Sequence, residues 1–230
     1  MNDFTFTRPI AGKWASEINI GNTYSNSPVN KNPFAYVTQY MARYWMHYYL
    51  NARWKLSLFS AYFYNYDVPE VGQVLAPEIR IAPQAVYYIH KRGYTLSTVS
   101  RVEIRFKNME KKGYTDSYRY FQNLKYLHPI NSKIIRQGVW YSIAVEEAFI
   151  NLPSGNGTKM NFDRNRFNLG AGYCFTEGLL IELCYVNEYV PRAGNNEMYH
   201  HISTSIVFNN FRSNIKKRFP TRFGTTKPDE

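Results

Sequence analysis

Cysteine, long apolar runs and a targeting signal are scarce or missing in this sequence. Only Cys174 and Cys184 occur among 230 residues, which excludes a disulfide framework and a cysteine-based zinc site. The longest apolar run, residues 139–145, includes Ser142 and is far shorter than the ~18 to 20 residues of a membrane-spanning helix. The first residues show neither the basic region nor the apolar core of a secretory signal. Taken alone, this predicts a cytoplasmic protein, and export would require a signal already removed from the chain.

Acidic residues are also few, whereas aromatic residues are abundant. The chain has 17 Asp and Glu against 28 Lys and Arg, so its formal net charge is +11. It contains 21 Tyr, 15 Phe and 4 Trp, or 17% of all residues, more than one soluble domain of this size needs in its core. A hydrophobic content of 44% is the opposite of the disordered signature. The length predicts one domain.

Apolar residues recur at every second position, which is the period of a β-strand with one dry face. Across residues 162–175, one parity carries Phe167 and Leu169 and the other carries Arg164 and Arg166. Most such runs exceed the ~5 to 6 residues of ordinary strands and reach the ~9 to 11 residues of a tilted membrane-crossing strand. The ten predicted strands are residues 13–25, 34–50, 54–66, 78–91, 94–107, 117–127, 134–150, 162–175, 179–190 and 199–211.

Short connections alternate with longer ones rich in Pro, Gly and Asn. This predicts an all-β fold, a transmembrane antiparallel up-and-down β-barrel of about ten strands with short periplasmic turns and longer extracellular loops. The predicted organisation is an N-terminal periplasmic segment (1–12), the barrel (13–211) and a basic C-terminal tail (212–230). Both termini are expected at the periplasmic end.

Parity alone does not say which face lies inside, so a soluble lipocalin-like barrel and a basic nucleic-acid-binding β-protein are alternatives. The aromatic residues favour a membrane barrel over these alternatives, because they cluster in two girdles, as is typical of proteins that span a bilayer. The predicted long-loop girdle is Tyr62, Tyr64, Tyr66, Phe149, Tyr185, Tyr189 and Tyr199. The predicted short-turn girdle is Trp14, Tyr48, Trp54, Tyr94, Tyr126, Tyr173 and Phe208.

Several segments also resemble a known family. They include Trp14-Ala-Ser-Glu-Ile-Asn-Ile, Arg101-Val-Glu103-Ile-Arg105-Phe106 and Phe162-Asp163-Arg164-Asn165-Arg166. In order and spacing they resemble the Bacteroidetes outer-membrane barrels labelled domain-of-unknown-function 2490. The resemblance implies an outer-membrane barrel, a cleaved signal and no known activity, and it supplies no catalytic residues. The chain departs from the family by continuing into residues 212–230, so the aromatic end signal of the last strand would be internal.

The polar parity of the strands predicts a network of charges inside the barrel. Its candidate members are Arg80, Arg101, Glu103, Arg105, Arg119, Arg164, Arg166, Glu182 and Glu188. Tight turns place Gln84 opposite Arg101, Arg80 opposite Arg105, and Arg166 opposite Glu188. Because a barrel of this size is only slightly wider than one filled by side chains, such pairs would close most of the lumen. We therefore expect a structural plug, with a narrow pore as the alternative.

An enzyme at the outer rim is the third interpretation, with Asp163, His200 and His201 as the one acid and histidine combination worth naming. The spacing argues against it, because adjacent histidines point to opposite faces of a strand. Neither a Gly-Xaa-Ser-Xaa-Gly elbow nor a His-Glu-Xaa-Xaa-His motif is present. We expect no enzyme and therefore no catalytic residue, metal or cofactor.

The two cysteines share the inward parity, but the predicted register sets them apart. Cys174 faces Leu180 and Cys184 faces Gly170, about four residues out of line and beyond the ~7 Å limit for bridged Cα atoms. Free thiols are predicted.

The basic tail is either solvated or docks onto an acidic partner or anionic lipid headgroups. Its candidate docking residues are Lys216, Lys217, Arg218, Phe219, Arg222 and Phe223. The expected partners are outer-membrane lipid and a protein in an outer-membrane assembly. Nucleic acid is not expected, because the aromatics alternate along strands instead of forming one basic platform. The sequence thus predicts an outer-membrane barrel acting as a structural or accessory subunit, with a narrow porin-like channel or a rim hydrolase as alternatives.

Overall fold

A computed structural model describes residues 1–26, 29–71, 73–109, 113–154, 159–192 and 194–210. Apart from one 3-10 turn at Pro69–Val71, its regular elements are strands. They are β1 (Asn2–Ala11), β2 (Trp14–Ser25), β3 (Tyr36–Tyr49), β4 (Trp54–Asn65), β5 (Glu78–His90), β6 (Thr95–Met109), β7 (Gly113–Pro129), β8 (Trp140–Leu152), β9 (Asn161–Thr176), β10 (Leu179–Val190) and β11 (Glu197–Phe208). The described part of the chain holds no helix long and apolar enough to cross a membrane.

The eleven strands close into one barrel in which each strand pairs with its sequence neighbours. All of these neighbour pairs are antiparallel. Because the number of alternating strands is odd, the first and the last run in the same direction. β1 and β11 accordingly pair in parallel, with Asn2 opposite Thr204 and Phe6 opposite Phe208. Closure leaves no free sheet edge among the eleven strands.

The predicted count of about ten strands is one too low. The ten predicted strands correspond to β2–β11, and the eleventh is β1, which lies within the residues 1–12 that were placed outside the barrel. β1 is a wall strand that pairs on both sides. The expectation that the N-terminus lies at the short-turn end is also wrong, because the Met1 amine donates a hydrogen bond to the Ile202 carbonyl, partway along β11.

Connection lengths follow the predicted alternation in most places, with two exceptions. β6 and β7 extend to Met109 and Gly113, so only residues 110–112, which are outside the described part, separate them. At the other end, residues 130–139 form a longer connection than predicted. Its turns are held by Asn131, whose side-chain amide donates to the Gly138 carbonyl at 3.2 Å and whose side-chain oxygen accepts from the Trp140 N–H at 2.9 Å. We call the two ends of the barrel the short-turn end and the long-loop end.

The two faces of the wall have inverted polarity compared with a soluble protein. Leu169 and Leu183 are 54% and 56% exposed on the outer face, whereas Glu103 is 1% exposed in the interior. Within β6, the side chains of Val102 and Glu103 follow one another yet lie on opposite faces. The alternation of the strands therefore puts the apolar row outside and the charged row inside.

Aromatic pairs cover the outer wall near the short-turn end. Four of these pairs join neighbouring strands that are connected in sequence by a loop at the long-loop end: β2/β3, β4/β5, β6/β7 and β8/β9. A fifth pair joins β1 to β11. Their ring centroids lie 4.7 to 5.4 Å apart: Trp14–Tyr48, Trp54–Tyr87, Tyr94–Tyr126, Trp140–Tyr173 and Phe6–Phe208. Such contacts add to the hydrogen bonds between neighbouring hairpins. The prediction that Phe149 belongs to the long-loop girdle is wrong, because its side chain is buried in the interior.

Candidate functional site

The interior of the barrel has an apolar part and an ionic part. The apolar part is a cluster on β3, β4 and β5 that consists of Met41, Trp45, Phe59, Ala61, Phe63 and Ala82. Arg101 on β6 connects the two parts, since its guanidinium carbon lies 4.1 Å from the Phe121 ring centre and 5.7 and 5.9 Å from those of Phe59 and Trp45. A cation over aromatic faces is held by the ring quadrupole. Side chains from β3, β4, β6 and β7 thus meet across the interior.

One ion-pair cluster centres on Glu78, the first residue of β5. Its carboxylate accepts hydrogen bonds from Arg80 Nε at 2.6 Å and from Arg105 Nε at 2.5 Å. The two arginines lie opposite each other in the β5/β6 register, as predicted. Glu78 stabilises this like-charged pair by lying between them, and the Arg80 guanidinium also stacks on Phe63 at 3.8 Å. Glu78 is missing from the predicted set, although it shares the parity of Arg80.

A longer chain of ion pairs runs across β6, β7, β9 and β10. It reads Arg101–Glu103–Arg119–Asp163–Arg164–Glu188–Arg166, with each neighbouring pair in contact. Glu103 is its most buried member, and it accepts from Arg101 Nη2 at 2.8 Å and from Arg119 Nη2 at 2.6 Å. The predicted registers Gln84–Arg101 and Arg166–Glu188 are confirmed. Every carboxylate in the chain contacts two arginines, so positive and negative groups alternate.

Asp163 enters this chain through an irregularity that simple alternation does not predict. The β8/β9 register shifts by one residue, from Phe149 opposite Arg164 to Ile150 opposite Phe162, so Asp163 is an extra residue in β9. A β-bulge of this kind re-aims a side chain. As a result, both Asp163 and its neighbour Arg164 take part in the network, and Asp163 accepts from Arg119 Nη1 at 3.1 Å.

Glu182 is the one predicted network member that forms no ion pair among the described residues. It accepts a hydrogen bond from the Tyr141 hydroxyl at 2.9 Å. Glu182 borders an interior cavity of about 200 Å³ whose lining includes Lys125, Glu147 and Cys184. The other eight predicted residues lie in the two ion-pair clusters.

The three residues of the candidate rim site do not share one face of the wall, since His201 lies opposite the buried Val186 and so points inward. Asp163 is bound by Arg119 and Arg164 in the interior. His200 lies on the outer face, where its Nδ1 contacts the Tyr185 hydroxyl and the Asn187 amide. Asp163 and His200 are therefore on opposite faces of the wall.

A serine, a histidine and a glutamate meet elsewhere, at a place the sequence reasoning missed. His47 Nδ1 lies 2.8 Å from Ser57 Oγ, and its Nε2 lies 3.5 Å from the Glu17 carboxylate. The residue types are those of a hydrolytic triad. Ser57 and His47 are both buried, however, so the hydroxyl is not presented to a substrate. We interpret this cluster, which joins β2, β3 and β4, as polar packing of the interior.

The remaining predictions concern the cysteines and the tail. Cys174 and Cys184 are free thiols, and their predicted partners in the register, Leu180 and Gly170, are confirmed. The described residues contain no cluster of three or more His, Cys, Asp or Glu that could hold a metal ion. The tail residues Lys216, Lys217, Arg218, Phe219, Arg222 and Phe223 lie outside the described residues.

Comparison with known proteins gives a family and no further relative. No curated protein matches the chain. No solved structure matches it either. One family model matches residues 2–199, from the start of β1 into β11. The chain therefore belongs to the family described as protein of unknown function (DUF2490).

Proposed function

We propose that this protein is a bacterial outer-membrane β-barrel whose interior is closed by ion pairs, and that it serves as a structural or accessory subunit. Short turns would then face the periplasm and the long loops the exterior, as in other outer-membrane barrels. Partners would be outer-membrane lipid and a protein of the same membrane.

The observation that carries the proposal is the inverted polarity of the wall. An outer face of exposed Leu, Ile, Val and aromatic side chains suits hydrocarbon and would aggregate in water. Buried alternating charges suit the inside of a barrel, where each charge needs a partner. The aromatic pairs near the short-turn end fit the interfacial girdle of such a barrel.

The ion pairs inside the barrel support a structural role over transport. Arg101 lies beside aromatic rings and, with Arg119, is paired to Glu103, so these side chains project into the interior at the level of Glu103. The cavity of about 200 Å³ beside Glu182 lies on the short-turn side of this level.

Conductance in a planar bilayer tests this proposal. We expect the unmodified protein to insert without the stable conductance of a water-filled porin. The Glu103→Ala variant should conduct more, because it frees Arg101 and Arg119 from the section that closes the interior. Heat-dependent mobility on a gel serves as the control that each preparation holds a folded barrel. High conductance in the unmodified protein would support the narrow porin-like channel instead.

A further inference from the structure

The outer wall of β6–β9 carries polar side chains within its apolar surface. We call this surface the polar patch. It consists of Thr98, Ser100, Tyr120, Gln122, Glu146 and Asn165, together with the small Ala144 and Ala148. Strand pairing places them side by side. One row across the wall reads Ser100, Gln122, Ala148 and Asn165, and the next reads Thr98, Leu124, Glu146 and Phe167.

Glu146 points outward, and its neighbours establish this. Val145 and Glu147, which flank it in β8, both line the interior cavity. Leu124 and Phe167, its partners on the adjacent strands, are exposed on the outer face. Glu146 is also the central residue of β8 (Trp140–Leu152), so its carboxylate lies at mid-height of the wall.

Most polar groups of the patch satisfy one another. The side-chain oxygen of Gln122 accepts from Ser100 Oγ at 2.6 Å and from the Tyr120 hydroxyl at 2.5 Å, and its amide donates to Thr98 Oγ1. Glu146 is different. It accepts one hydrogen bond from the Asn165 amide, and no cationic side chain of the described residues forms an ion pair with it.

An exposed carboxylate at this height is costly in a bilayer, because hydrocarbon cannot solvate charge. Two features of the patch fit a protein neighbour better than lipid. The small side chains Ser100, Ala144 and Ala148 allow another backbone to approach closely, as at membrane-protein interfaces. The single unpaired negative charge calls for a cationic group on that neighbour.

We propose that the polar patch is a docking surface for a different membrane polypeptide that presents a Lys or Arg side chain to Glu146. This inference rests on the proposed function, and it identifies the face of the barrel that an accessory subunit would use. A second copy of this chain suits the patch less well, since a twofold contact would bring two Glu146 carboxylates together in a medium of low dielectric constant.

Site-specific photo-crosslinking in the native outer membrane tests this inference. A benzophenone amino acid replaces Ala148 in the patch, and the matched control replaces Ala42, an exposed alanine on β3 at the other side of the barrel. We expect one heteromeric adduct from position 148 and none from position 42. Mass spectrometry of the adduct should locate the contact in a peptide that contains Lys or Arg.

Charge dependence separates specific docking from incidental contact. Glu146→Gln should lower the adduct yield about tenfold or more, since it removes one partner of a buried ion pair, whereas Glu146→Asp should preserve the adduct. The inference is overturned by equal adducts from both positions, by no adduct, by a yield that ignores the Glu146 charge, or by an adduct of two copies of this chain.

Failure of the docking inference can be told apart from failure of the proposed function. In every variant, the outer-membrane fraction is tested for a heat-modifiable band of the folded barrel. A folded barrel in that fraction without a charge-dependent adduct contradicts the docking surface alone. Absence of the folded barrel from that fraction contradicts the proposed function itself.

Discussion

Glu103→Ala is expected to lower the free energy of unfolding by about 3 to 5 kcal/mol, the cost of leaving buried charges without their partner. Glu103 is almost fully buried and holds both Arg101 and Arg119. Arg119 keeps Asp163, whereas Arg101 loses the one ion pair that it forms among the described residues and keeps a 3.3 Å hydrogen bond to Gln84 and its aromatic neighbours. Urea titration of the barrel in detergent or vesicles measures the change.

Two variants control this experiment. Glu103→Gln keeps the shape and one acceptor, so its loss should be smaller. Glu197→Ala removes the acid of an ion pair at the rim, where Arg192 Nε lies 3.0 Å from the carboxylate and both side chains are exposed. An exposed pair contributes little. If Glu103→Ala cost no more than Glu197→Ala, the interior charges would not be the buried network described above.

Gly170→Ala is expected to destabilise the barrel by about 3 kcal/mol or more, the upper end of the cost of overpacking. A Cβ at position 170 would lie 2.1 Å from the Leu183 carbonyl oxygen and 2.7 Å from the Cys184 Cα. Both are backbone atoms of β10, which is paired with β9 at this point. Relief therefore requires moving a wall strand and cannot come from rotating a side chain.

The neighbouring residue supplies a matched control. Ala171 is on the outer face opposite Leu183, so Ala171→Val adds methyl groups where the wall is open. We expect it to fold like the unmodified protein. The folded fraction of each variant can be read from heat-dependent mobility on a gel. Equal folded fractions for Gly170→Ala and the unmodified protein would show that β9 and β10 are not as close as described.

The alternation of apolar and polar residues along the sequence predicts much of this fold. The strand bounds of β10 are those predicted, and most other strands begin and end within two residues of their predicted limits. The prediction of strand bounds succeeds because the long strands of this barrel alternate apolar and polar side chains over many residues. β1 was not predicted because its stretch of alternating apolar and polar residues, around Phe4 and Phe6, is short and ends at Pro9. Its parallel pairing with β11 spans nearly the whole chain and leaves no local signal.

The candidate site was predictable only in part, for physical reasons that differ between residues. Glu78 shares the parity of Arg80 and could have been found by extending that strand pattern to its first residue. The place of Asp163 in the network could not be predicted, because a bulge in β9 reverses the expected direction of its side chain. The cluster of Glu17, His47 and Ser57 depends on the register of three strands. The polar patch likewise appears only when four strands are aligned, because its residues are isolated in the sequence.

We propose that the apolar face of the wall contacts lipid while the opposite face encloses the charges. Tryptophan quenching by lipids with brominated acyl chains tests it most directly, because quenching requires contact. Trp140 is 52% exposed on the outer face, whereas Trp45 is 7% exposed in the interior, where it donates to Asn19. Replacing the other tryptophans by Phe gives one variant that keeps only Trp140 and one that keeps only Trp45. We predict strong quenching of Trp140 and almost none of Trp45. Unquenched Trp140 or strongly quenched Trp45 would show that the apolar face does not lie against lipid.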